Sequence, residues 1–176
     1  MRLPAVALCL VALAAPAAAA AAPTALPPDV QRYIAGFDQI CRQAGGSPGN
    51  HTGMITVADL TGDGQPDFVI DIHNYNCLDA PASVAAGRDG MAVAIFVTGS
   101  GGSAFKAFEA ITDGATVEQQ GSRSRVYLDV GGVDCGQQNA ASLPYTEWKF
   151  CERPLDWNAM KKTFQFAPVS QARPVE

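Results

Sequence analysis

The run Asp59-Leu60-Thr61-Gly62-Asp63-Gly64-Gln65-Pro66-Asp67 places oxygen donors at alternate positions of one short segment. Counted from Asp59, carboxylates stand at the first, fifth and ninth places, with the Thr61 hydroxyl at the third and the Gln65 carbonyl at the seventh. With one or two waters this set approaches the roughly six to eight oxygens that calcium takes. Gly62 and Gly64 let the backbone turn inward without a Cβ penalty, and Pro66 presets the chain before the next strand. Three carboxylates so close repel one another unless a cation lies among them. Asp59, Thr61, Asp63, Gln65 and Asp67 are therefore the expected ligands of a structural calcium ion. The alternative for the same residues is a turn in which Asp side chains cap backbone amides and no ion is held.

The helix–loop–helix calcium template is met only in part. Its bidentate glutamate would fall on Ile70, and the exit Phe68-Val69-Ile70-Asp71-Ile72 alternates like a strand. From Asp59 to Ile72 the segment resembles instead the Asp-x-Asp-x-Asp-Gly-x-x-Asp loops of FG-GAP and VCBS-type repeats. That resemblance implies a loop joining β-strands and binding calcium, with Thr61 where those repeats usually carry Asn or Asp. More loosely, the mature chain resembles small exported proteobacterial proteins, a likeness that brings no catalytic residue with it.

Acid–base chemistry has few candidates. His51 and His73 are the only imidazoles, and His73 follows Asp71 by two residues, on the same face of a strand. No activated nucleophile stands beside that pair. Ser100 and Ser103 lie among glycines but lack the Gly-x-Ser-x-Gly elbow, and the same glycines lack the lysine and helix of a phosphate cradle. Glu147 and Glu152 carry no sign of a glycosidase pair.

The elements that position these residues begin after a leader. Arg2, the apolar stretch Leu3 to Ala15 and the alanines up to Ala22 read as a secretory signal peptide over residues 1–22, leaving a single β-rich domain over 23–176. No later segment reaches the ~20 apolar residues of a membrane span, so membrane insertion is not expected. With Arg2 gone, 11 basic residues face 17 acidic ones. No basic cluster offers a nucleic-acid surface. Cys9 leaves with the leader, and Cys41, Cys77, Cys135 and Cys151 remain. An even count in an exported chain predicts two disulfides out of three possible connectivities. Cys41–Cys77 and Cys135–Cys151 are preferred because each joins neighbours along the chain. The absence of any Cys-x-x-Cys pair argues against zinc.

Val30, Ile34, Phe37 and Ile40/Cys41 recur at helical spacing over Asp29 to Ala44, with Asp29 as cap and Gly45-Gly46 as terminator. Strands are predicted over Met54–Ala58 and Phe68–Ile72, followed by an irregular loop over Asn74–Gly90. Hairpins are predicted for Met91–Thr98 with Ala104–Ala110, Thr116–Gln120 with Arg125–Val130, and Glu147–Arg153 with Thr163–Phe166. Trp148, Phe150, Trp157, Phe164 and Phe166 are assigned to the core and to cross-strand pairs, and the tail from Pro168 to fraying. The predicted fold is mainly β (α+β), an N-terminal helix packed on an antiparallel sheet of hairpins and stapled by disulfides. The expected product is a periplasmic or secreted, non-catalytic binding or structural module with one calcium loop and a protein or glycan ligand. The alternatives are a calcium-dependent hydrolase using Asp71 and His73, and a periplasmic inhibitor of a foreign enzyme such as a lysozyme.

Overall fold

The computed structural model describes residues 25–80 and 91–175. The leader expected over 1–22 and part of the loop expected over Asn74–Gly90 lie outside them. Helix α1 spans Pro28–Gln43 and buries Val30, Ile34 and Cys41. Pro27 is the N-cap and Pro28 opens the first turn, where a missing N–H costs nothing. Asp29 is therefore inside the helix rather than its cap, and it pairs with Arg32 at 2.6 Å. Gly45, at φ 85°, ends the helix. The Gly46 and Gly45 amides donate to the carbonyls of Cys41 and Arg42 at 3.0 Å each, which satisfies two terminal acceptors. Ile40, assigned to the apolar stripe, is 44% exposed, because Cys41 takes the inward place.

Ten strands follow. Strands β1 (Ser47–Pro48) and β4 (Cys77–Leu78) form a short pair beside the Cys41–Cys77 disulfide. The first large sheet holds β2 (Ile55–Ala58), β3 (Asp67–Asp71), β5 (Ala92–Thr98) and β6 (Ala104–Ile111) in the order β2-β3-β5-β6. The second holds β7 (Gly114–Gln120), β8 (Arg123–Gly131), β9 (Phe150–Asn158) and β10 (Thr163–Phe166) in the order β10-β9-β8-β7. All pairings are antiparallel.

The layers follow from the two faces of β3. Phe68, Ile70 and Ile72 join Ala94 and Phe96 against Val30 and Ile34 of α1. On the other face, Val69, Val93, Ile95 and Val97 meet Val126, Leu128, Val130 and Leu155 of the second sheet. Every residue of β3 is buried, with Phe68, Val69 and Ile70 apolar on both faces as a doubly covered strand requires. Each such side chain contributes about 1.5–3 kcal/mol when taken from water. Strands β5 and β6 shift register at Ile95/Phe96, and Ala107 is left between the paired residues Lys106 and Phe108. Its carbonyl accepts the Thr163 hydroxyl at 2.7 Å, so the bulge joins the two sheets. Phe164 is buried, and Trp157 packs across from it at 5.0 Å.

The C-terminal segment differs from expectation. Arg173 and Glu152 exchange backbone hydrogen bonds of 2.9 and 3.0 Å. The Arg173 guanidinium reaches Glu118 and Glu152 at 2.5 Å each and lies over the Tyr127 ring. Backbone pairing and a shared cation hold this stretch where sequence composition suggested fraying.

Both preferred disulfides are present, joining Cys41 to Cys77 and Cys135 to Cys151. Their sequence separations, 36 and 16, imply about 4 and about 3 kcal/mol of stabilisation from loop closure. Urea unfolding of the Cys135→Ser/Cys151→Ser double variant is expected to show a loss of about 3 kcal/mol; an unchanged midpoint would contradict it.

Candidate functional site

The acidic loop connects β2 to β3 and is built by its own amides. Asp59 accepts the Gly62 and Gly64 N–H groups at 2.7 and 2.9 Å, one on each carboxylate oxygen. Asp63 accepts the Gln65 N–H at 2.9 Å. Gly62 and Gly64 sit at φ 82° and 79°, a region that a side chain disfavours. Asp67 is fully buried. One of its oxygens accepts the Leu60 and Thr61 amides at 3.0 and 3.2 Å, and the other accepts Thr98 of β5 at 2.9 Å. Burial pushes the Asp67 carboxyl above its ordinary range, the three amide bonds oppose this, and the Asp63 charge adds to it.

The five expected ligands thus share one loop, but their donors differ in availability. The Thr61 hydroxyl is buried without a partner, and Asp59 and Asp63 keep free lone pairs. Asp67 is committed to the fold first. Among the described residues no group of three or more His, Cys, Asp or Glu side chains is arranged to hold a metal. A calcium ion here would rest on Asp59, Asp63, the Thr61 hydroxyl, backbone carbonyls and water. A hollow of about 350 Å³ adjoins the loop, with Thr61, Asp63, Phe105, Trp157 and Lys162 in its wall.

A larger cleft of about 490 Å³ lies past the other end of β3. His73 enters it just after that strand, and Met91 just before β5. Ile111 ends β6, and Thr112 and Asp113 lie in the passage from β6 to β7. Val130 and Gly131 end β8, and Asp134, Tyr145 and Trp148 belong to the β8–β9 connection. His73 Nδ1 lies 2.6 Å from Asp71 Oδ1. Asp71 also accepts the His73 backbone amide at 3.0 Å and the Asn74 side chain at 3.3 Å, so the pair is oriented from both sides.

The aromatic wall is fixed just as closely. Trp148 Nε1 donates to the Ala140 carbonyl at 2.9 Å, and its ring packs on Gly132, where a Cβ would come within 2.9 Å. Tyr145 lies 5.3 Å from Trp148, and its hydroxyl donates to both oxygens of Asp113 at 3.0 and 3.1 Å. Burial and the Asp113 carboxylate together push the Tyr145 phenol up. The Cys135–Cys151 disulfide closes the segment that carries both rings. Beside the cleft, Asp129 leaves Oδ1 buried with no hydrogen-bond partner. Desolvation pushes its carboxyl up, as do the charges of Glu152, Asp113 and Asp71, while His73 pulls the other way.

Trp148 and Phe150, assigned by sequence to the core, stand instead with Tyr145 as a partly exposed cluster at this end. Asp113, Asp129 and Tyr145 were not singled out by sequence reasoning, since no local motif joins residues so far apart along the chain. His51, the other imidazole, contacts Asp38 at 2.8 Å and stacks on Tyr75, away from the cleft residues. Comparison with protein-family models, curated proteins and solved structures finds no match to the chain.

A carboxyl whose folded pKa lies above its unfolded value binds more protons in the native state, so its stabilising effect is complete at low pH and is lost as pH rises. For Asp129 the loss begins near the ordinary value of 3.8 and ends above its raised folded value. Urea melts from acid to neutral pH are therefore expected to show Asp129→Asn gaining on the native protein as pH rises through that window. A constant difference across the range would remove Asp129 from the account.

Proposed function

We propose that the protein is an exported, non-catalytic binding module, with its ligand seat in the cleft and a calcium-braced loop at the opposite end of β3. The observation that carries this reading is the cleft. Its aromatic wall is fixed by hydrogen bonds and a disulfide, and it faces carboxylates with no serine or cysteine nucleophile among the described lining residues. A pre-formed apolar hollow with a few fixed polar groups is the usual form of a ligand site. Two disulfides fit an oxidising compartment, and among the described residues no helix is long and apolar enough to cross a membrane.

The brace is supported by the spacing of Asp59, Thr61 and Asp63 and by the unpartnered Thr61 hydroxyl. With a dissociation constant of about 0.1 mM, calcium at about 1 mM would stabilise the fold by about 1.4 kcal/mol. Thermal melts in EDTA, with calcium or magnesium then restored, are expected to show a calcium-dependent rise in Tm of about 3–6 °C. Asp63→Ala is expected to abolish that rise. No shift in the native protein would leave a turn held by amides alone.

One observation favours a second reading: His73 lines the cleft with Asp71 orienting it from behind, which resembles the base half of a hydrolase. The acidic loop is about 13 Å away along β3, so a cation there could not touch a substrate at His73. Such an enzyme would use His73 on water alone. Assays against ester, phosphoester and glycoside substrates are expected to show no turnover; hydrolysis that disappears in His73→Ala would replace the binding module by the enzyme.

A further inference from the structure

We propose that the cleft is a seat for an organic cation, an alkylammonium or guanidinium group of the kind a lysine or arginine side chain carries. The inference rests on the cleft being the ligand seat. Among its described lining residues the fixed charges are negative. Asp113 and Asp134 line it, and the charges of Glu152, Asp113 and Asp71 act on Asp129.

Three described basic groups around the cleft are already engaged. His73 is bonded to Asp71. Arg153 bonds the Asp134 and Ala167 carbonyls, ion-pairs the Asp134 carboxylate at 3.5 Å and lies 4.7 Å from the Phe166 ring centre. Arg173 is held between Glu118 and Glu152. Among the described residues, Asp113 has no basic side chain within ion-pair distance and accepts only from the Tyr145 hydroxyl. Asp129 Oδ1 is a buried acceptor with no donor.

The rest of the wall selects the kind of cation. Tyr145, 55% exposed, and Trp148 offer ring faces that attract a positive charge. Met91, Ile111 and Val130 supply an apolar surface for an alkyl stem. A cation with an apolar stem satisfies all three parts of the wall at once.

The test is NMR titration of the oxidised mature protein, with a linear diamine, the uncharged diol of the same length, N-acetyl-arginine amide and a neutral chitin trisaccharide as probes. The expected result is saturable binding of the cations at the Tyr145 and Trp148 resonances, weakening with salt, with the diol silent. Asp113→Asn, which keeps the shape and the Tyr145 contact, is expected to bind about tenfold more weakly. Asp79→Asn, an exposed carboxylate elsewhere, is expected to bind unchanged. Tighter binding of the arginine derivative than of the diamine would identify a protein side chain as the source, and the reverse order a free amine. Equal binding of diol and diamine, or an undiminished affinity in Asp113→Asn, overturns the cation. Binding of the trisaccharide alone overturns it too, while leaving the cleft as ligand seat. Silence towards every probe overturns both.

Discussion

The structure depends on a carboxylate placed where water does not reach. Asp67 is buried, and it is tolerated there because three backbone amides, from Leu60, Thr61 and Thr98, converge on its two oxygens. Each amide left unpaired in the interior would cost about 1–3 kcal/mol, so donors and acceptor hold one another in place. The consequences spread outward from this point. Leu60, drawn in beside the carboxylate, enters the core between the two sheets. The Asp59 carbonyl accepts the Ser124 amide at 2.6 Å, which links the first sheet to the opening of β8. Thr98 ties the end of β5 to the start of β3.

From that anchor β3 runs between two apolar layers, and its ends face different tasks. One end is a self-bonded acidic loop; the other delivers His73, bonded to Asp71, to the cleft. The second sheet contributes the far wall by way of a connection that has little regular structure and is held instead by Trp148, Gln137 and a disulfide. Gln137 donates to the Glu147 carbonyl at 3.1 Å and accepts from the Lys149 amide at 2.8 Å. Side-chain bonds to the backbone thus replace a ladder in the place where the aromatic wall is needed.

Much of the architecture was legible because it is local. Phe68, Val69 and Ile70 alternate between two faces as a strand must, and the glycine-marked turns set the hairpins to within a few residues. The cysteine pairing followed from proximity along the chain. The acidic loop was legible as a loop, but residue type does not reveal the direction of a side chain, so the three backbone amides that converge on Asp67 were not. The cleft was illegible for a different reason. Its residues come from six places along the chain, and only packing brings Asp113 to Tyr145. Trp148 and Phe150 read as core because large rings usually are; here the glycine backbone of Gly131 and Gly132 gives Trp148 a bed at the surface. Arg173 escaped notice because a lone arginine near a chain end carries no pattern.

The Cys41–Cys77 bond has a consequence for durability. It turns the stretch from the end of α1 through β2 and β3 into a covalent ring, and the acidic loop is the outermost part of that ring, with Gly62 to Gln65 exposed. A protease that cuts the backbone there does not divide the molecule. The two ends stay tethered through sulfur, and the β2–β3 pairing and the bonds around Asp67 hold them in register. A nicked protein would gain only the water of hydrolysis and keep its opposite end intact, and on a denaturing gel only a reductant would separate the two pieces.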